Sequence, residues 1–449
     1  MKFLQLRYTN LIYSYLGGFI VKRKLHIISF DGLSKVDMDY LKEKPNFKRL
    51  LDGASYSFEV ESVYPTLTYP AHTSITTGCY PNRHGIVNNT LKQHLRKRPD
   101  WHWYAKDIKC KTFQELATEN GYRVLSLLWP VSAGAKIEYN LPEIFSNRPW
   151  SNQIVVSLMS GSKRFQLDLF MRHSQILDGI RQPNLDNFTH LNYIYSLINY
   201  KPDVSMVHFI ELDSNRHDYG FNSIQARKAL DRHDLRLGEI LDVVELSGEE
   251  DNTTIIVLGD HSSKDAKNII FLNTIFKKHG LIKTDRLGQI IDYDVIAKEA
   301  GGSSYIYTDG NYSFEKIRNL IESELPEEAI EAYFTGEEAS VLGADGECFM
   351  MVEAGLDYLF EDGLAPKAFM TTAELVDTDI LFHTNNHGYS PYLKKDYETV
   401  FIAKGAGIKE NINIGKMKLV DEGPTFARIL GLDLGDVDGR VLEEILTGE

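Results

Sequence analysis

The pair Asp260-His261 follows the apolar run 253–258 after a single glycine. A buried strand that ends in Asp-His sets two metal-ligand side chains at the rim of a sheet. Two more apolar runs end in the same way. Residues 25–30 lead into Asp31, and residues 204–210 lead into Asp213, with His217 four positions further on. A sixth candidate, His387, stands in Asn385-Asn386-His387-Gly388. Three aspartates and three histidines make up the ligand count of a two-metal hydrolytic site.

Each residue also has an ordinary explanation. An aspartate after a strand is commonly a turn residue or helix cap, and a loop histidine needs no ligand role. The four segments weigh more together than singly, because the carboxyl ends of strands in an open α/β sheet converge on one crevice. Asp213 and His217 have the spacing that places two side chains on one side of a helix or short turn.

Such a site needs a nucleophile. The segment Ser62-Val-Tyr-Pro-Thr66-Leu-Thr68-Tyr-Pro-Ala-His72 brackets Thr68 between two prolines, which restrict the residues before them. The residues that follow, 73–77, are expected to begin a helix. A hydroxyl at a helix N-terminus faces free N–H groups and the positive end of the dipole, a suitable place for a phosphate. The competing role for Thr68 is a plain N-cap.

The elements that must position these groups alternate between strand-like and helix-like. Strands are expected at 25–30, 122–128, 204–210 and 253–258. Helices are expected at 187–199 and 223–246, a pattern that favours a parallel sheet covered on both faces. Residues 264–383 differ: a turn and strand over 301–307, a helix over 313–325 with Ser313 as N-cap, and a strand over 348–353. We therefore expect an α/β catalytic domain built from 25–263 and 384–449, with a smaller α+β insertion at 264–383. The chain returns to the main sheet near 399–403 and ends in a helix around 424–430. Residues 1–24 are expected to be a leader or surface segment, since the apolar run 11–21 is too short to span a bilayer and a basic cluster follows it.

The chain has 449 residues and a net charge of −14. That balance argues against a nucleic-acid polymer as partner, which would need a basic face. It leaves room for a small anionic substrate, because bound cations invert the local sign. The three cysteines, Cys79, Cys110 and Cys348, are far apart and odd in number, so no disulfide framework is implied. Cys79 reads as a packed small apolar residue. No membrane span is expected. The cytoplasm is the expected location, with a secreted or surface-attached protein as the alternative.

The ordered motifs resemble the alkaline phosphatase superfamily, and within it the type I phosphodiesterase/nucleotide pyrophosphatase family. The resemblance rests on Asp31, on Tyr-Pro-Thr-Leu-Thr68-Tyr-Pro-Ala-His, and on Thr77-Gly-Cys-Tyr-Pro-Asn-Arg-His84-Gly-Ile-Val-Asn-Asn89. It extends through Asp213-x-x-x-His217-x-x-Gly220, Gly-Asp260-His261 and Asn-His387-Gly, with Trp129-Pro130, Glu422-Gly-Pro424-Thr425 and Asp438-Gly-Arg440 in support. It implies an alkaline phosphatase-like fold and two zinc ions. One would be held by Asp31, Asp260, His261 and the Thr68 oxygen, the other by Asp213, His217 and His387. Manganese or iron suits the same donor set. Thr68 would be the nucleophile, passing through a phospho-threonine, and Asn89 would hold a phosphate oxygen. His72 and His84 fall in the motifs as structural residues. The family often has Lys before the nucleophile and Asn three after it, where this chain has Leu67 and Ala71. That departure bears on substrate preference.

The expected substrate is a small phosphodiester or a nucleotide with a pyrophosphate bond. The nucleophile segment has no arginine to receive the extra charge of a monoester, and Arg83 is expected to face away. Trp101 and Trp103, within the basic segment 94–104, are candidates to stack on a nucleobase, with a loop of packed tryptophans as the plain alternative. Rival readings are a phosphomonoesterase or phosphonate hydrolase of the same superfamily, or a non-catalytic binding protein on this scaffold.

Overall fold

The computed structural model describes residues 22–380 and 382–448, so the apolar run 11–21 and nearly all of the expected leader lie outside the described residues. The central sheet has eight strands: β1 (Lys24–Phe30), β2 (Ser55–Glu61), β3 (Val124–Leu127), β4 (Tyr139–Leu141), β5 (Val204–Phe209), β6 (Thr253–Leu258), β7 (Thr399–Gly405) and β8 (Lys416–Lys418). Their spatial order is β8-β2-β7-β6-β1-β5-β3-β4. The run β6-β1-β5-β3-β4 is parallel throughout. β7 lies antiparallel to both β2 and β6.

β5 and β6 are buried at every position and β1 at all but its first. Strands covered on both faces must read as continuous apolar runs, which is why they were legible in the sequence. Successive side chains still point to opposite faces. Leu25, Ile27, Met206, Ile256 and Leu258 pack beneath α1 (Thr68–Thr77) and α4 (Glu422–Ile429) through Ile75 and Phe426. Ile28, Phe30, Val207, Phe209 and Val257 pack beneath α3 (Ile224–Ser247) through Leu237 and Ile240. Each such aliphatic side chain removed from water contributes about 2 kcal/mol. α3 begins where its Ser223 hydroxyl accepts from the Ala226 N–H and stops at Gly248, which is left-handed at φ 67°.

β2 was not expected. Its sequence, SYSFEVE, alternates polar and apolar residues and lacks a continuous run. Its antiparallel pairing with β7 lets it sit towards the edge of the sheet with one face partly solvated.

Residues 264–383 carry a separate antiparallel sheet of Val295–Ala300, Ser303–Thr308, Met350–Ala354 and Ile330–Thr335, in that spatial order. A helix, Phe314–Glu322, is capped by Ser313 as expected. The strand Lys264–Ile270 leaves the main sheet, and Asn385–Asn386 returns alongside it, with Asn385 opposite Asp265 and Asn386 opposite Lys264. Departing and returning chain therefore run side by side at the sheet rim. Among the described residues, no helix is long and apolar enough to cross a membrane.

Candidate metal centre and nucleophile

β5, β1 and β6 are adjacent and parallel, with Ser29 in register with both His208 and Leu258. Their ends therefore share one rim. Asp31 follows β1, and its N–H donates to the Phe209 carbonyl at 2.8 Å. Asp213 occupies the first turn of α2 (Glu211–Tyr219), which follows β5. Asp260 and His261 follow β6. Gly32, at φ +72°, lets the loop after β1 turn against α2; a β-carbon there would lie 3.4 Å from that of Asp213.

The return strand places His387 in the same crevice. Its ring stacks on His261 with centroids 3.9 Å apart. Gly388, at φ +88°, lets the return strand lie against the turn after Val295–Ala300, because a β-carbon would fall 1.7 Å from the Ala300 carbonyl oxygen.

Two groups of side chains can each close on one ion. Ligand atoms of Asp31, Asp260 and His261 lie within 4.8 Å of one another, as do those of Asp213, His261 and His387. His261 belongs to both, with Nε2 3.3 Å from Asp31 and 3.2 Å from Asp260. His217 Nε2 joins the second group through Asp213 Oδ2 at 3.1 Å. Thr68 Oγ1, at the first residue of α1, lies 3.2 Å from His261 Nε2.

The buried polar atoms fit a pair of cations. Asp31 Oδ1, Asp213 Oδ1 and Asp260 Oδ2 are buried with no hydrogen-bond partner, a costly state for carboxylates unless ions occupy it. Two histidines spend Nδ1 on backbone carbonyls, His217 on Asn385 at 2.8 Å and His387 on Thr66 at 3.0 Å. That pattern orients Nε2 towards a metal. Burial, reinforced by the Asp213 charge, pushes Asp31 up to about 7. Burial and the Asp31 charge likewise raise Asp260. For Asp213 burial acts upward too, but His217 overrides it and holds the carboxyl below the ordinary range. Burial brings His387 down to about 4, so its imidazole is neutral, as a ligand must be.

Asn89 accepts the Tyr69 N–H on Oδ1 at 3.0 Å. Its amide oxygen is thereby committed to the second residue of α1, and Nδ2 remains as the donor. His72 bonds the Thr68 carbonyl at 2.9 Å and Ser29 Oγ at 2.9 Å, and His84 bonds Ser74 Oγ at 2.9 Å. Arg83 is taken up by Asp438 at 3.0 Å and Asp436 at 2.6 Å.

The basic aromatic segment divides. Trp103 is 6 % exposed and packs on Phe145, which turns it away from any open face. Trp101 is half-buried, with its ring edge-on to Tyr69 at 5.1 Å. His94, Leu95, Arg96 and Lys97 instead line a groove of about 540 Å³ whose far wall includes Lys298, Glu361 and Asp362.

Sequence reasoning missed His208. It is fully buried on β5, with Nε2 3.1 Å from Asp31 Oδ2 and Nδ1 3.1 Å from the Leu128 carbonyl. Burial acts against its charge, yet Asp31 and Glu143 raise it well above the ordinary histidine range. It braces the Asp31 oxygen that faces away from His261. A lone histidine inside an otherwise apolar run was the available signal.

The sequence matches the type I phosphodiesterase/nucleotide pyrophosphatase family across residues 25–345. The chain belongs to this family. Human ectonucleotide pyrophosphatase/phosphodiesterase family member 1 is 25 % identical over 244 residues, 51 % of this chain and 22 % of that protein. Venom phosphodiesterase CdcPDE of Crotalus durissus collilineatus is 25 % identical over 232 residues, 49 % of this chain and 24 % of that protein. An uncharacterised pyrophosphatase/phosphodiesterase of Schizosaccharomyces pombe is 25 % identical over 324 residues, 69 % of this chain and 57 % of that protein. The matched part thus spans less than a quarter of the length of the first two relatives. The structure of murine ectonucleotide pyrophosphatase/phosphodiesterase 5 superposes with a TM-score of 0.65 at 18 % identity, covering 95 % of this chain and 100 % of that one. The fold is thus the alkaline phosphatase-like fold of this family. The murine protein is also solved in an inactive form in complex with AMP.

Proposed function

We propose that this protein is a zinc-dependent phosphodiesterase or nucleotide pyrophosphatase that works through a phospho-threonine at Thr68. The observation that carries the reading is the placing of Thr68 Oγ1 3.2 Å from His261 Nε2, the residue common to both ligand groups. Two divalent cations held by Asp31, Asp260, His261 and Thr68, and by Asp213, His217 and His387, would supply positive charge that acidifies a hydroxyl and neutralises phosphoryl oxygens.

The rest is the work of the chain. Thr68 Oγ1 attacks phosphorus in line and a P–O bond forms as the bond to the leaving alcohol or phosphate breaks. Thr68 heads α1, so the positive end of the helix dipole faces the transferred group, while the Tyr69 N–H is held by Asn89 and the Ala71 N–H by the Leu67 carbonyl. Asn89 Nδ2 donates to a non-bridging oxygen, its orientation set by the Tyr69 N–H. Water then attacks from the vacated side, frees the hydroxyl and releases the phosphoryl product. Because Asp436 and Asp438 already hold Arg83, no second charge is offered from that turn, which supports a diester or pyrophosphate over a monoester.

The catalytic unit in this reading is 25–263 with 384–449, and the insertion 264–383 forms the far wall of the groove. Trp101, edge-on to Tyr69, is the stacking candidate for a nucleobase. The names of the relatives, among them a venom enzyme and ectonucleotide enzymes, favour a secreted or surface-attached protein over a cytoplasmic one.

Purified protein should hydrolyse bis-p-nitrophenyl phosphate much faster than p-nitrophenyl phosphate. Chelation should abolish the activity, zinc should restore it, and Thr68→Ala should lose it while staying folded. Faster monoester turnover would shift the assignment to a phosphomonoesterase, and full activity in Thr68→Ala would end the phospho-threonine mechanism.

A further inference from the structure

We propose that Cys79 and Cys110 are a reactive dithiol that closes to an intramolecular disulfide, stapling the loop that carries Asn89. The two residues are 31 positions apart, yet they line one surface cleft of about 290 Å³ together with Arg83, Lys109 and Lys111. Each thiol shifts the ionisation of the other.

Both partners are held in place. Cys79 follows α1, and the preceding Gly78 carbonyl accepts the N–H groups of Asp438 and Gly439, each at 2.9 Å. The Lys109 N–H donates to the His84 carbonyl at 2.9 Å, which docks the Cys110 side of the loop against the turn after Cys79. These bonds hold the two cysteine-bearing segments against each other. Cys348 is buried elsewhere, among Tyr64, Leu67 and Tyr305.

The two thiols differ in the way such a pair needs. Cys79 is 1 % exposed and Cys110 is half-buried. The neighbouring Cys79 thiol lowers the Cys110 thiol, and Arg83 adds to this against burial. The Cys110 thiol, with burial, raises Cys79. Cys110 is thus the thiolate that meets a solution reagent, and Cys79 the resolving thiol behind it.

With a low-molecular-weight disulfide as oxidant, the Cys110 thiolate attacks one sulfur and expels one thiolate, leaving a mixed disulfide. Cys79 then attacks the Cys110 sulfur, its proton passes to the departing second thiolate, and the protein bridge forms. Two protein thiols are oxidised and one small disulfide is reduced to two thiols. The ring so closed, residues 79–110, contains Asn89 and Trp101.

The test uses the full chain, reduced and then incubated with oxidised glutathione. Two of its three thiols should disappear without a retained glutathione adduct, and peptide mapping should recover a Cys79–Cys110 cross-link within one chain. The apparent Tm should rise by about 5 °C, as expected for closing a loop of this length. Cys79→Ser should instead retain glutathione on Cys110. Three free thiols after treatment, a stable adduct on wild-type Cys110, or a bridge to Cys348 or to a second chain would each overturn the proposal. Mapping of the wild-type chain decides the question even if Cys79→Ser fails to fold, and no activity measurement enters.

Discussion

The imidazole Nδ1 of His387 lies 3.0 Å from the backbone carbonyl oxygen of Thr66, two residues before Thr68, the proposed nucleophile. One hydrogen bond thereby ties the returning strand to the nucleophile segment and turns His387 Nε2 towards Asp213 and His261. Loss of this ring should remove a ligand and loosen the segment together. His387→Ala is expected to lower bound zinc from two ions to one per chain, measured by elemental analysis, and to cut kcat/KM at least ~100-fold.

Asn89 has one amide atom committed and one offered. Asn89→Asp keeps the oxygen that accepts from Tyr69 N and replaces the donor with a charge that repels phosphate. The expected result is a fall in kcat of about 10²–10³-fold for bis-p-nitrophenyl phosphate, with zinc content unchanged. An unaltered kcat would remove Asn89 from the transition state.

The two tryptophans should separate by assay. Trp103→Ala opens a void beside Phe145 and should destabilise the fold by about 3–5 kcal/mol in urea titration. Trp101→Ala should leave stability and bis-p-nitrophenyl phosphate turnover near wild type while raising KM for a nucleotide diester about tenfold. Equal KM for both proteins would exclude a base at Trp101.

Glu353 supplies a pH dependence outside the centre. Its carboxylate is fully buried, 2.8 Å from Lys394 Nζ and 2.9 Å from the Tyr64 hydroxyl. Burial pushes it up to about 7 from an ordinary 4.5, against the pull of Lys394. The folded state thus binds a proton that the unfolded chain has released. The stabilisation is whole below pH 4.5 and is lost as pH rises through 7. The loss is about 3 kcal/mol. Urea midpoints across that window should fall less steeply in Glu353→Gln than in wild type.

The central strands and the helices at 187–199 and 223–246 were legible because burial on both faces, or helical spacing with a serine cap, is written in consecutive residues. The observed bounds of those helices, Asn184–Asn199 and Ile224–Ser247, differ by a few positions at most. β2 escaped because its pattern takes meaning only from its pairing with β7. The motifs singled out Asp31, Asp213, His217, Asp260, His261, His387 and Thr68 by residue type and order along the chain.

What lay beyond the sequence was every relation between distant segments. The register of β5, β1 and β6 decides that three aspartates share a rim, and the pairing of Asn385 with Asp265 decides that His387 stacks on His261. The burial of Trp103, the brace of His208 on Asp31 and the meeting of Cys79 with Cys110 are likewise products of packing. Local patterning records which face of an element avoids water; which side chains then touch depends on long-range register, and no short stretch of sequence encodes that.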